Sequence, residues 1–213
     1  MSQSTAPDQV LDWTRTERLG LADLLEGLDD HQWRAPSLCA GWSVHDLAAH
    51  LTLSTRTTLG MVLREAVRAR GSFDRMELVI SRERAARFDR HELVAQLRET
   101  AGSARRAPGA GPLDPLVDAL VHGQDLARAL DLVRPVPLEP ALAALEHVRT
   151  SAFYGARRRF RGARLVATDV DWSAGGGPEE IRGPAAELLL VATGRTAGLA
   201  ALSGPGVRRL VLA

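Results

Sequence analysis

Apolar residues recur at helical spacing through roughly the first 160 residues of this chain, and few β-branched runs interrupt them. The segments that carry this pattern are long, and short stretches containing proline or glycine separate them. Long helices with short connections pack as an up-and-down bundle, because each apolar stripe must be covered by a neighbour. The pattern therefore predicts a mainly α-helical bundle over residues 1–160, built from about four or five long helices.

Capping residues and prolines set the expected helix limits. Ser43 and Asp46 form a capping-box-like start, and Asp89 is placed to cap a new helix. The expected helices are Pro7–Leu28, Ser43 to Arg68 or Arg70, Phe73–Arg106 with a break near Asp89, Pro112 or Asp114 to Leu130, and Glu139–Phe160.

The pattern changes after Arg161, and residues 161–213 are expected to form a small α+β domain. Ala163–Trp172 alternates like a strand, and a short second strand is expected around Ile181. Gly183-Pro184 precedes a predicted helix, AAELLLVATG, and Thr196–Leu202 is expected to be a further short helix. The final segment, VRRLVLA, is predicted to be a closing strand.

Composition excludes several classes of protein. The net charge of +1 gives no electrostatic reason to expect nucleic-acid binding. All 27 basic residues are arginine, so a lysine nucleophile or Schiff base is excluded. A single cysteine, Cys39, excludes an internal disulfide and a cysteine-rich metal site. No membrane span or secretory signal is recognisable, so we expect a cytoplasmic protein. We expect it to be a monomer or a homodimer.

Three residues on two predicted helices form a candidate metal-ligand set. Asp118 and His122 are four residues apart and therefore face the same way on one helix, with apolar residues on both sides of their stripe. His50 lies in similar apolar surroundings on another helix. Two imidazoles and a carboxylate suit Zn²⁺ or a similar divalent ion and leave a coordination position open, as in catalytic sites. Asp46 and Asp125 are candidate acceptors for the imidazole N–H groups.

The spacing alone leaves other interpretations open. Asp118 and His122 could be an ordinary surface pair, and His50 a core histidine bonded to a carbonyl group. Asp46 could serve only as a helix cap and Asp125 only as a surface charge. Cys39 is expected to be a small buried residue and not a nucleophile, because its sequence context shows no electropositive setting.

Three segments resemble the mycothiol-dependent maleylpyruvate isomerase family, a branch of the DinB-like metal-dependent four-helix bundles. They are WRAPSLCAGWSVHDLAAHL (Trp33–Leu51), LVDALVHGQDLARAL (Leu116–Leu130) and LVATDVDWSAGGGPEEIRGPAAELLLVATGR (Leu165–Arg195). The resemblance implies a DinB-like four-helix bundle followed by a small α+β C-terminal domain. It also implies metal ligation by His50, Asp118 and His122. The family usually has glutamate where this chain has Asp118, so here the helices must lie closer or a water must intervene.

The resemblance further implies an enzyme that uses mycothiol, a low-molecular-weight thiol of actinobacteria, together with the metal. The thiolate would add to a small electrophilic substrate, giving either cis–trans isomerisation or thiol transfer. Two alternatives remain: a metal-dependent hydrolase or lyase on the same three ligands with water as nucleophile, and a non-catalytic or metal-free bundle whose pocket binds a small molecule. The sequence does not distinguish among them.

Overall fold

The computed structural model describes residues 6–68 and 72–211. Contacts divide the chain into two compact units, residues 1–135 and 136–213. Among the described residues, helix is the main secondary structure and one three-stranded sheet is present, which confirms the predicted mainly α class with a small α+β part. No helix in the described ranges is long and apolar enough to cross a membrane.

The first unit is helical throughout. Its elements are α1 (Pro7–Glu26), α2 (Asp30–Arg34), α3 (Val44–Leu53), α4 (Leu59–Arg68), α5 (Phe73–Ala85), α6 (Arg90–Glu99) and α7 (Asp114–Ala129). Helix α1 packs against α6 and α7, and α3 packs against α5, α6 and α7. The core between them includes the fully buried side chains of Leu21, Leu47, Leu93 and Leu126, one from each of α1, α3, α6 and α7. This packing fixes α3 beside α7, which is the pairing that the candidate metal ligands require.

The predicted helix starts at Ser43 and Asp89 are confirmed. Ser43 accepts from the backbone N–H of Asp46, whose side chain accepts in return from the Ser43 N–H. Asp89 forms the same reciprocal pair with Glu92 at the start of α6. These contacts satisfy backbone donors that a helix start would leave unpaired.

The expected continuous helix from Ser43 to Arg68 or Arg70 is wrong, because α3 ends at Leu53 and α4 begins at Leu59. The intervening segment is rich in hydroxyl side chains that bond to the preceding turn. The Oγ1 of Thr57 donates to the Leu53 carbonyl at 2.9 Å, and the Oγ of Ser54 donates to the Leu51 carbonyl at 3.1 Å. Such local bonds compete with helix continuation. Arg70 lies outside the described residues.

The second unit combines helices with a small sheet. Its elements are α8 (Leu138–Thr150), α9 (Ala156–Arg159), β1 (Ala163–Ala167), β2 (Ser173–Gly175), β3 (Glu179–Gly183), α10 (Ala185–Ala192), a 3₁₀ helix (Thr196–Ala201) and α11 (Val207–Val211). The strand order is β2-β1-β3. Leu165 of β1 is paired with Ala174 in the antiparallel β2 and with Ile181 in the parallel β3. The helices predicted after Pro184 and from Thr196 are both present.

The strand expected over Ala163–Trp172 ends at Ala167, and a separate strand begins at Ser173. The end of the chain also differs from expectation. The final segment is helix α11 and not a closing strand, with the last two residues outside the described range. Ser203 already pairs with Arg182 of β3, and the Gly206 N–H donates to the Glu180 carbonyl. The edge of β3 is therefore occupied before the final segment begins. A short apolar run of this kind does not distinguish strand from helix by its spacing.

The helix expected over Glu139–Phe160 is divided, and it groups with the second unit. Helix α8 ends at Thr150, and Gly155 adopts a positive φ of 71° before α9 begins. The main partner of α8 is α10, whose apolar residues pack against it. The observed division of contacts therefore lies about 25 residues before the boundary that the change of sequence pattern suggests. That either part folds as an independent domain stays a prediction.

A pair of truncations tests where the boundary lies. We expect a chain ending at Pro135 to melt cooperatively and stay soluble. A chain ending at Phe160 should aggregate more readily, because it carries α8 without α10 to cover its apolar face. Circular dichroism melts and size-exclusion chromatography provide the comparison. The boundary near residue 160 would be correct if only the longer fragment melted cooperatively.

Candidate metal centre

His50, Asp118 and His122 lie together between α3 and α7. His50 is in the last turn of α3, and Asp118 and His122 occupy successive turns of α7 on the same face. The apolar residues beside them, among them Leu47 and Val121, are buried, and their packing holds the two helices side by side. The structure thus brings together the three residues that the sequence analysis selected.

The separations of the three side chains suit a small cation. The Oδ1 of Asp118 lies 3.2 Å from the Nε2 of His50 and 3.6 Å from the Nε2 of His122. All three ligand atoms lie within 4.8 Å of one another. A tetrahedral ion with bonds of about 2.0–2.2 Å separates its nitrogen and oxygen ligands by roughly 3.3–3.6 Å. Asp118 therefore reaches both imidazoles although it is one methylene shorter than glutamate.

Each imidazole is held from behind by a carboxylate. The Nδ1 of His50 is 3.1 Å from the Oε2 of Glu77 on α5, and the Nδ1 of His122 is 2.9 Å from the Oδ2 of Asp125. A carboxylate at Nδ1 favours the tautomer in which Nδ1 carries the proton and Nε2 presents a lone pair. Both lone pairs then face Asp118, which is the arrangement found around protein-bound metal ions.

Comparison with known proteins identifies the family. Residues 14–125, more than half of the chain, match the family described as the mycothiol maleylpyruvate isomerase N-terminal domain. The chain belongs to this family. Two solved structures have the same fold: a histidine-to-alanine mutant of the mycothiol-dependent maleylpyruvate isomerase (TM-score 0.62, 13% identity) and a second crystal structure of that isomerase (TM-score 0.57, 12% identity). Each comparison covers 94% of this chain and 93% of the other. No curated protein matches.

These likenesses confirm the predicted fold of the family member: a DinB-like helical part followed by a small α+β part. The family match ends at Asp125, so it contains all three candidate ligands and the carboxylate behind His122. At such low identity the solved structures establish the fold alone, and the chemistry must be argued from this chain's own residues.

At the centre of the family member, His50 and Asp118 shift each other's pKa. Burial acts to lower the pKa of His50, but the hydrogen bonds and charges of Asp118 and Glu77 outweigh it and raise that pKa to about 10. For Asp118, burial acts to raise the pKa, but the hydrogen bond and charge of His50, with the charges of His122 and Arg18, lower it. In the absence of metal, a proton on His50 therefore neutralises part of the carboxylate charge.

Two further residues that the sequence analysis did not select border the centre. Trp42 lies edge-to-face against His50 with ring centroids 5.0 Å apart, and nearly parallel to His122 at 6.4 Å. Arg18 is buried on α1, where its guanidinium donates to the carbonyls of Thr100, Ala101 and Ser103 and to the Oγ of Ser54, at 3.1 to 3.3 Å. Arg18 and Glu77 come from other helices, and Trp42 lies in the turn before α3, so no helical spacing links these residues to the ligands.

The structure gives different surroundings to the other three residues considered from the sequence, Asp125, Asp46 and Cys39. Asp125 lies behind His122, as the sequence analysis allowed, and it is 1% exposed. Asp46 is the partner of Ser43 in the helix cap. Cys39 is half-buried and adjoins the centre, with its Sγ 3.2 Å from the Oδ2 of Asp125 and 3.5 Å from the Nδ1 of His122.

The raised pKa of His50 predicts how the metal-free protein responds to alkali. Because the folded pKa of about 10 exceeds the ordinary 6.5, protonation of His50 stabilises the fold fully below about pH 6.5. This stabilisation is lost as the pH rises through about 10. The lowered pKa of Asp118 acts in the opposite window, stabilising the fold above its ordinary range and losing that effect in acid.

We therefore expect the melting temperature of the chelator-treated protein to fall between pH 7 and pH 10. A His50→Gln variant, which has no titrating ring, should show a flatter profile over the same range. Differential scanning calorimetry measures both. A wild-type melting temperature that stayed level or rose over this range would show that His50 is not protonated as the geometry indicates.

Proposed function

We propose that this family member is an enzyme that binds a divalent metal ion, Zn²⁺ or a similar ion, at His50, Asp118 and His122. With a low-molecular-weight thiol, mycothiol or a related one, it isomerises a small electrophilic substrate or transfers the thiol to it. Membership of the isomerase family supports the thiol chemistry. The solved isomerases share the fold, and their names supply the reaction class that we extend to this chain.

The arrangement of the donor atoms carries the metal part of the proposal. Both imidazoles have a carboxylate at Nδ1, so the neutral rings direct two Nε2 lone pairs at a third carboxylate, Asp118. Lone pairs and a carboxylate repel one another unless a proton or a metal ion lies between them, and a metal ion at this point would replace the proton on His50. Asp118 is held ionised by its neighbours, and two further carboxylates lie behind the imidazoles. A carboxylate and two nitrogen donors of this kind suit a divalent cation.

The bound ion would supply positive charge that keeps a thiol in its thiolate form at neutral pH. The chain's own residues prepare for this. Glu77 and Asp125 hold the Nδ1 protons and thereby orient both imidazole rings. Trp42 covers the rings from one side, which limits the approach of water to the ligand atoms. Three protein ligands leave a position at which a thiol can enter.

Arg18 has a separate role in the proposal. Its guanidinium is fixed by carbonyls near the end of α6, so its charge stays near Asp118 whatever occupies the centre. A fixed positive charge keeps Asp118 ionised and ready to coordinate. It also opposes a second cation, which favours a single ion at this position.

Substitution of the ligands tests metal binding. His122→Ala should lower the affinity for Zn²⁺ by at least about 100-fold, because one of three protein ligands is lost. Asp118→Glu should keep or improve binding, since it restores the carboxylate usual in the resembled family. Isothermal titration calorimetry measures the affinities, and circular dichroism verifies folding. His91→Ala, at an exposed histidine of α6, is the matched control and should bind as the wild type does.

One result would count against this assignment, and a second would show how closely the site fits aspartate. Unchanged Zn²⁺ binding by His122→Ala would remove His122 from the ligand set. Loss of binding in Asp118→Glu would show that the spacing of α3 and α7 has adapted to the shorter side chain.

A second experiment tests the reaction. The Zn²⁺-loaded protein is mixed with mycothiol or a surrogate thiol and an activated cis alkene such as maleylpyruvate. We expect cis–trans conversion or a thiol adduct, followed by absorbance and by mass spectrometry, and no turnover without the thiol. His122→Ala should be inactive. Turnover in the absence of any thiol would overturn the proposal and favour metal-dependent hydrolysis.

A further inference from the structure

A second group of metal-ligating side chains overlaps the first at His122. Cys39 Sγ, His122 Nδ1 and Asp125 Oδ2 lie within 4.8 Å of one another. The sulfur is 3.5 Å from the nitrogen and 3.2 Å from the oxygen, and the nitrogen and oxygen are 2.9 Å apart. A tetrahedral zinc-like ion separates sulfur from nitrogen or oxygen by about 3.5–3.7 Å and nitrogen from oxygen by about 3.3–3.6 Å. The sulfur–nitrogen separation already fits, and the Oδ2 of Asp125 must move away from both atoms by roughly 0.3–0.7 Å to hold an ion.

Backbone contacts hold Cys39 at this distance. It lies in the turn between α2 and α3, where the Leu38 N–H donates to the Asp125 carbonyl at 3.1 Å. The Cys39 N–H donates to the Oγ of Ser37 at 3.2 Å, and the Cys39 carbonyl accepts from the Trp42 N–H at 3.0 Å. The turn is thus fixed to α7 beside the residues that complete the group, and the sulfur position is set before any ion arrives.

We propose that Cys39, His122 and Asp125 form a second position, which binds soft divalent cations. It shares His122 with the first position, the candidate metal centre described above, so the two positions cannot hold ions at the same time. The two ligand groups differ in chemistry. The first offers two nitrogens and one oxygen, whereas the second offers a thiolate, one nitrogen and one oxygen. Thiolate favours soft ions such as Cd²⁺ over harder ones. A soft cation at the second position therefore inhibits the chemistry of the first.

The exclusion follows from the ring of His122. A neutral imidazole has one lone pair, which is either on Nε2 or on Nδ1. With the lone pair on Nε2, His122 serves the first position and its Nδ1–H donates to Asp125. With the lone pair on Nδ1, it serves the second position and its Nε2–H faces Asp118 at 3.6 Å. The tautomer of His122 therefore determines which of the two positions can bind an ion.

The binding step involves no redox change. Cys39 loses its thiol proton to solvent as the sulfur–metal bond forms, so each bound ion releases one proton from the cysteine. His122 needs only to move its single ring proton from Nδ1 to Nε2 by exchange with solvent. No oxidant or co-reactant takes part.

The test begins with His50→Ala, which lacks a ligand unique to the first position. The metal-free variant is titrated with Cd²⁺ while the ultraviolet sulfur-to-cadmium charge-transfer absorption is followed. We expect this absorption to rise to saturation at one ion per chain. In the matched variants His50→Ala/Cys39→Ser and His50→Ala/His122→Ala it should be absent or weakened at least tenfold in affinity. Circular dichroism of each variant verifies folding. An unchanged titration in the His122 variant would overturn the shared position.

Wild-type protein tests the exclusion. When it is preloaded with Zn²⁺, added Cd²⁺ should produce the charge-transfer absorption only as Zn²⁺ is released to a colorimetric indicator, in a one-to-one ratio. Full absorption with all the zinc retained would overturn the exclusion.

This exclusion rests on the proposed function, whereas the His50→Ala titration does not. If the wild type failed to bind Zn²⁺ but His50→Ala gave the cadmium absorption, the proposed function would fail and the second position would stand. The reverse pattern would remove the second position alone.

Discussion

Asp118 is a partly buried carboxylate that lies between two imidazole nitrogens, and side chains from three helices of the first unit act on its charge. His50 approaches it from α3 and His122 from the same face of α7. Arg18, fixed to backbone carbonyls near the end of α6, supplies charge from α1. Buried charge without compensation costs several kcal/mol. The packing of the helices therefore also brings together the groups that compensate the charge of Asp118.

The carboxylates behind the histidines decide what kind of site this is. Two histidines and an aspartate alone would make an ordinary hydrogen-bonded cluster. Glu77 and Asp125 at the Nδ1 atoms set the tautomers and add negative charge, so that a proton on His50 or a cation among the three ligand atoms must compensate. Because Asp125 also contacts Cys39, the same carboxylate links the centre to a thiol. His122 thus belongs to both of the proposed ligand groups, and only one of them contains sulfur.

Sequence periodicity predicted the parts of the fold that depend on local information. Helix caps at Ser43 and Asp89 involve residues three positions apart, and both are present. The break after α3 was missed, because hydroxyl side chains around Thr57 bond locally where apolar spacing favoured continuation. The final segment is a helix because earlier residues already pair with the edge of β3. Helix α8 groups with α10 because their apolar faces cover each other. A single segment does not record this.

The candidate site divides in the same way. The sequence alone determined that Asp118 and His122 share a helix face, because a spacing of four residues fixes their directions. It also predicted His50 as their partner from its similar apolar surroundings. Only the tertiary structure decided that Glu77 lies behind His50 and that Cys39 reaches Asp125. Those contacts join segments far apart in the chain, so they follow from helix packing and turn anchoring and not from any local spacing.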